Sequence, residues 1–165
     1  MPLPKPHRKL VKHFDECGEI HELTFSCYHR WPILDNEWRR EQLGIAIDRA
    51  IENHGWRLTA FVTMPEHVHL LVYPTQQGLK VDKLLFTIKR PFSYRVKQRL
   101  VDTGDPLLQQ LTIRQRPGKT TFRFWQEGPG YDRNIRTEKV LLSAIDYIRL
   151  NPVRRGLVER ATDYR

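Results

Sequence analysis

The sequence predicts an α+β domain built on a mostly antiparallel sheet with helices packed on it. Runs of strand-favouring residues alternate with helix-period runs in the order strand, helix, hairpin, helix, strand, helix, with no internal repeat. The 165 residues suffice for one well-buried core and are short for two. A content of 39% hydrophobic and 28% charged residues is that of an ordinary globular chain, neither disordered nor membrane-embedded.

Residues 1–18 hold three prolines with Lys5, Arg8, Lys9 and Lys12 and read as a basic N-terminal arm. From Glu19 to His29 the order Ile20, Glu22, Leu23, Thr24, Phe25, Ser26, Cys27, Tyr28 predicts the first strand, ended by Trp31-Pro32. Asp35-Asn36 caps a helix to about His54, with Trp38, Leu43, Ile45, Ala46, Ile47, Ala50 and Ile51 on its apolar face and Gly55 as its stop. Trp56 to Thr63 and His67 to Tyr73 form a hairpin across Met64-Pro65-Glu66. A helix follows from about Val81 to Leu100, expected to break or kink near Pro91. Thr103 to Lys119 reads as a loop, and Phe122 to Gln126 as a fourth strand. Gly128-Pro129-Gly130 turns into a short extended segment, Tyr131 to Arg136. The last helix runs from about Glu138 to Leu150, with Asn151-Pro152 as its terminator. One domain over residues 19–158 and a short C-terminal tail over 159–165 complete the expectation.

Lys plus Arg outnumber Asp plus Glu by 28 to 19, a formal charge of +9. Such an excess concentrates polyanions, nucleic acid first and anionic lipid second. No apolar run approaches a membrane span, and Met1 to Phe14 lacks the apolar segment of a signal peptide, so a cytoplasmic protein is expected. The charge has places: Lys83, Lys89, Arg90, Arg95, Lys97 and Arg99 on the second helix against the single acid Asp82, and Arg114, Arg116, Lys119 and Arg123 beyond it. A nearly acid-free helix suits a phosphate-facing surface.

The chemistry centres on Met64-Pro65-Glu66-His67-Val68-His69-Leu70-Leu71-Val72. In a strand His67 and His69 leave the same face, while Val68, Leu70 and Val72 leave the other. Two converging imidazoles are half of a divalent-metal site, or else one packed and one solvated histidine. Cys17 and Cys27 are too few for a thiolate cage, so any metal is held by nitrogen and oxygen. On the last helix Leu141, Ala144, Ile145 and Ile148 form one apolar stripe, and Tyr147 and Asn151 stack one turn apart at its flank. If that flank meets the histidines, Asn151 offers a third ligand and Tyr147 a nucleophile for a phosphodiester, an arrangement suited to Mg²⁺ or Mn²⁺. Tyr131 is the rival nucleophile, and Asn151 is equally a helix terminator.

Pro65-Glu66-His67-Val68-His69-Leu70 resembles the His-hydrophobic-His (HUH) motif of the single-tyrosine transposases. Phe124-Trp125-Gln126 with Tyr131-Asp132-Arg133-Asn134-Ile135-Arg136 resembles the REP-associated branch of that family. Ile145-Asp146-Tyr147-Ile148-Arg149-Leu150-Asn151-Pro152-Val153, followed by Arg154-Arg155-Gly156, is similar to that branch's tyrosine helix. The resemblance keeps order and spacing over about residues 19–158. It implies a ferredoxin-like antiparallel sheet with the HUH histidines on a central strand. It also implies His67, His69 and Asn151 as metal ligands for Mg²⁺ or Mn²⁺, and Tyr147 as nucleophile. The implied substrate is single-stranded DNA beside a short hairpin, cleaved to a 5′-phosphotyrosine and a free 3′ hydroxyl and then rejoined, by a monomer or a homodimer. Family members often continue into a tryptophan-rich tail, whereas this sequence ends at Thr162-Asp163-Tyr164-Arg165.

On this reading Lys83, Lys89, Arg90, Arg114, Arg116, Lys119, Arg123, Arg133, Arg136, Arg154 and Arg155 hold DNA, and Trp125 or Tyr131 stacks on a base. A non-catalytic hairpin-DNA-binding relic or regulator on the same fold is the alternative. A metal hydrolase of small phosphate esters is a third reading, for which so basic a surface is unnecessary.

Overall fold

The computed structural model describes residues 18–164, so the basic arm expected over residues 1–18 lies, except for Gly18, outside the described residues. The elements are β1 (Ile20–Ser26), α1 (Glu37–Asn53), β2 (Trp56–Thr63), β3 (His67–Pro74), α2 (Val81–Thr103), α3 (Leu107–Leu111), β4 (Thr112–Arg116), β5 (Lys119–Phe122), β6 (Tyr131–Ile135) and α4 (Glu138–Arg154). The main sheet has the order β2-β3-β1-β6, every neighbour antiparallel. With α1 between β1 and β2, and α2 after β3, this is the ferredoxin-like arrangement expected from the sequence, and the histidine strand β3 is central.

Alternation along the strands divides the sheet into two unlike faces. Leu23 and Phe25 of β1 and Val68, Leu70 and Val72 of β3 point to one side, where α1 and α2 bury Leu43, Ile47, Leu84, Ile88, Phe92 and Val96 against them. The opposite face carries a smaller cluster, in which Val62, Met64, Leu71 and Ile135 pack against Ala144 and Ile148 of α4. Helix α1 starts where expected, with the Asn36 side chain accepting from the Arg39 amide at 2.9 Å.

Four sequence expectations are corrected. Helix α2 runs unbroken through Pro91, because the proline lies on the exposed side while Ile88, Phe92 and Val96 keep the buried stripe docked. The stretch Thr103 to Lys119 is not a loop: Leu107–Leu111 is helical, anchored by fully buried Leu111, and β4 pairs with β5 around Pro117-Gly118. Phe122 to Gln126 is not a fourth strand of the sheet. Its Trp125 makes a single bridge to Cys27, and Phe124 and Trp125 enter the core as wedges against Phe92 and Phe25. Finally, α4 continues one turn past Asn151. Pro152 lies near the helix end, where few bonds remain to be lost, and its carbonyl accepts from the Leu157 amide at 2.9 Å.

Candidate active site

The site is built on the smaller face of the sheet. Thr24 of β1 lies opposite His69, and Ser26 opposite His67, so all four side chains leave on the side of α4. Both histidines are buried, and their Nε2 atoms stand 2.9 Å apart. His67 Nδ1 faces the Glu66 carboxylate at 3.1 Å, and His69 Nδ1 faces the Thr24 hydroxyl at 2.8 Å. A carboxylate only accepts, so His67 carries its hydrogen on Nδ1 and presents a bare Nε2 to its neighbour. The Thr24 hydroxyl can donate or accept and leaves His69 free to take either tautomer.

Electrostatics keep the pair neutral. Burial pushes His69 down to about 4, with the neighbouring His67 adding to the effect and Glu66 opposing it. Burial also lowers His67, partly offset by Glu66 and reinforced by the charges of Arg30 and Arg155. Burial raises the Glu66 carboxyl, but the Arg155 hydrogen bond, His67 and the Arg155 charge outweigh it and hold the carboxyl below its ordinary value.

Helix α4 delivers the remaining groups. Thr137 caps it, accepting from the Val140 amide at 3.3 Å, and Ala144 and Ile148 dock its apolar stripe on the sheet. That docking fixes the flank one turn apart. Asn151 is buried with its amide 3.3 Å from His69 Nε2, while Tyr147 is 42% exposed with its ring 5.5 Å from the His69 ring. The Arg154 guanidinium lies over the Tyr147 ring, 5.5 Å from its centre. Beside Tyr147 a groove of about 770 Å³ runs along Glu22, Thr24, His69, Tyr131, Lys139 and Ser143. His67, His69, Asn151 and Tyr147 thus meet within one chain, and Tyr131, half exposed, lines the same groove as His69 and Tyr147.

The basic residues scatter. Lys83 and Arg90 lie on α2, across the sheet from the groove. Lys89 is half-buried: its ammonium sits 4.8 Å from the Phe25 ring centre and burial lowers it to about 8, which turns it away from its expected role in holding phosphate. Trp125 is 7% exposed inside the aromatic core, so it cannot stack on a base. Arg114, Arg116 and Lys119 are exposed on the β4–β5 hairpin. Arg123 pairs with Glu127 at 3.0 Å, Arg133 with Glu22, Arg136 with Glu19 at 2.8 Å and Arg155 with Glu66 at 2.7 Å. Of the arginines expected to hold DNA, Arg154 and Arg155 alone adjoin the tyrosine and histidine cluster, and Arg133 lines the groove.

Sequence reasoning missed Thr24, Glu66, Lys139 and Ser143. The strand register makes Thr24 the neighbour of His69, and register is set by long-range pairing that local patterns do not carry. Glu66, adjacent to His67, was the one with a local signal, since a carboxylate beside a ligating histidine commonly orients it.

The donor set fits a divalent cation. Two ligands at right angles and about 2.1 Å from one ion stand about 3.0 Å apart, close to the 2.9 Å between the imidazole nitrogens. Among the described residues no group of three or more His, Cys, Asp or Glu side chains gathers to hold a metal; the polar group that stands at His69 Nε2 beside the pair is the Asn151 amide, at 3.3 Å. Half a turn of that amide brings its oxygen to the point its nitrogen occupies.

The fold is similar to the structure of the REP-associated tyrosine transposase bound to a REP hairpin, with a TM-score of 0.68 and 20% identity over 93% of this chain and 78% of that one. It is also similar to the crystal structure of a candidate transposase from Deinococcus radiodurans R1, with a TM-score of 0.51 and 18% identity over 84% of this chain and 95% of that one. No curated protein sequence matches the chain. The family model described as "Transposase IS200 like" matches residues 19–112, from β1 into the start of β4. The chain belongs to the IS200-like transposase family, and its chemistry is therefore that of a DNA-processing protein. Among the described residues no helix is long and apolar enough to cross a membrane.

Proposed function

We propose that this chain is a metal-dependent single-stranded DNA endonuclease and strand transferase that cleaves beside hairpin DNA and rejoins strands through a 5′-phosphotyrosine. The observation that carries this reading is the convergence of His67, His69 and Asn151, with the Tyr147 ring 5.5 Å from that of His69. Family membership and the likeness to a transposase bound to a REP hairpin support the choice of substrate.

His67 and His69 through Nε2, and Asn151 through its amide oxygen, would hold Mg²⁺ or Mn²⁺ at this point. Bound there, the ion would supply positive charge to the scissile phosphate and offset the charge that grows on its oxygens. The Tyr147 oxygen forms a bond to phosphorus and loses its proton, while the bond from phosphorus to the 3′ oxygen breaks and that oxygen takes a proton up. Attack by another 3′ hydroxyl reverses the step and rejoins the strand with no external energy source. Arg154, over the Tyr147 ring, places a cation beside the phosphate in flight. The groove past Tyr131 and Lys139, of about 770 Å³, would take a nucleotide next to the cleaved bond.

The test is a denaturing gel of labelled single-stranded hairpin DNA incubated with the protein and Mn²⁺. A covalent adduct is expected with the native chain and none with Tyr147→Phe. His69→Ala should lose cleavage and keep most of the salt-sensitive binding. An adduct with Tyr147→Phe, or none with any hairpin flanking the gene, would overturn the reading.

A further inference from the structure

One carboxylate oxygen joins the two halves of the site. Glu66 Oε1 lies 3.1 Å from His67 Nδ1 and 2.7 Å from Nη1 of Arg155, the residue that follows the last turn of α4. The backbone around Glu66 is pinned from three sides. Its carbonyl accepts from the Cys27 amide at 2.9 Å, the Pro65 carbonyl from Leu34 at 2.8 Å, and the Met64 amide donates to the His67 carbonyl at 2.8 Å. Cys27 is in turn bridged to Trp125 in the aromatic core. Glu66 is only 8% exposed, and a carboxylate in that position is costly unless paired with charge and hydrogen-bonded; Arg155 supplies the charge and His67 a further hydrogen bond.

We infer that Glu66 is a positioning residue for the proposed strand-transfer reaction: it presets the His67 tautomer and, through Arg155, ties the end of the tyrosine helix to the histidine strand. The inference rests on the proposed metal site and adds to it a division of labour. His67 is held with its Nε2 lone pair turned inward before any ion arrives, by an acceptor that cannot donate. The same oxygen sets how close α4, and with it Asn151 and Tyr147, stands to the two rings. Arg155, expected from the sequence to hold DNA, spends its charge here, and its substitution should disturb the site before it disturbs binding to DNA.

The native protein, free of metal, supplies the first measurement. Two-bond proton–nitrogen correlation spectra of its imidazoles should show His67 as the Nδ1–H form at pH 7; finding it as Nε2–H overturns the inference with no variant needed. Glu66→Ala should mix the His67 tautomers and weaken Mn²⁺ binding, read by electron paramagnetic resonance, about 10- to 100-fold. Glu66→Gln keeps an acceptor for His67 and loses the charge for Arg155. It should therefore retain the tautomer while lowering the rate of adduct formation more than the Mn²⁺ affinity. Tight Mn²⁺ binding by Glu66→Ala with an unchanged tautomer would refute the positioning role alone. Absence of Mn²⁺ binding by the native chain would instead refute the metal reading on which it rests, and the two failures are thereby distinguishable. If Glu66→Ala does not fold, the native tautomer and the Gln variant still decide.

Discussion

The bare Nε2 of His67 and the Nε2 of His69 lie 2.9 Å apart. With His67 fixed by Glu66, the one hydrogen bond this distance permits in neutral rings runs from His69 Nε2–H to His67, with the Thr24 hydroxyl donating to His69 Nδ1. A cation bound between the rings requires the opposite form of His69, with Thr24 accepting. The two histidines are therefore unequal, one preset and one that exchanges its proton position. Imidazole nitrogen spectra recorded with a diamagnetic ion such as Mg²⁺ should show His69 changing tautomer and His67 keeping its own.

Metal should stabilise the folded chain by mass action, by about 2.7 kcal/mol at a hundredfold excess over Kd, or about 5–10 °C in Tm for a chain of this size. His67→Ala and His69→Ala should lose that shift in a thermal melt with and without Mn²⁺. A shift retained in both would place the ion elsewhere.

Acid should act on the same pair. His69 sits at about 4 in the folded chain and near its ordinary 6.5 when unfolded. The unfolded chain thus binds the proton first as pH falls, so the stability contributed by the neutral ring is complete above about 6.5 and is lost progressively down to about 4. Urea titrations across that window should show a loss on the order of 2 to 3 kcal/mol from this residue, absent in His69→Ala. Mn²⁺ affinity should meanwhile change less than about threefold between pH 8 and pH 6, where two ordinary histidines would lose more than tenfold to proton competition.

Asn151 divides the third-ligand role from that of a helix terminator. Asn151→Ala should weaken Mn²⁺ binding about tenfold or more, about 1.4 kcal/mol, while leaving α4 in place, because the helix already continues through Pro152. Asn151→Asp should bind at least as well as the native chain, since it keeps an oxygen donor and adds charge. Calorimetric titration distinguishes these outcomes.

Gly130 offers a purely steric test. A Cβ there would stand 2.2 Å from the Thr24 carbonyl oxygen, whereas at Gly118, with the same φ of +74°, a Cβ meets nothing within 4 Å. Both alanine variants carry the left-handed backbone strain of about 1–2 kcal/mol. Gly130→Ala should lose clearly more stability than Gly118→Ala in urea melts, and it alone should lower Mn²⁺ affinity, through displacement of Thr24 from His69.

Much of this was legible in the sequence, because the period-two run around His67 and His69 and the stripe Leu141, Ala144, Ile145, Ile148 are local patterns that fix which face each side chain takes. That Tyr147 and Asn151 share one flank of the last helix followed from helical spacing, whereas their expected roles came from the family resemblance. Thr24 did not, because its place opposite His69 depends on the register of strands separated by a whole helix. Lys89 and Trp125 were misplaced for a related reason: a lysine or tryptophan in a basic, aromatic segment reads the same whether its ring or ammonium faces solvent or Phe25. The helix through Pro152 and the hairpin at Pro117-Gly118 show proline to be a weaker punctuation mark than its chemistry suggests, wherever packing or a turn absorbs it.

The unlike faces of the sheet bear on how such a protein diversifies. Lys139, Val140 and Ser143 border the groove yet belong to neither apolar cluster. Substitutions at these three positions change what the groove meets without loosening what holds the molecule together. On the proposed reading, one flank of α4 is therefore where the groove's contacts with a nucleotide can be altered while the imidazole pair and its carboxylate are left as they are.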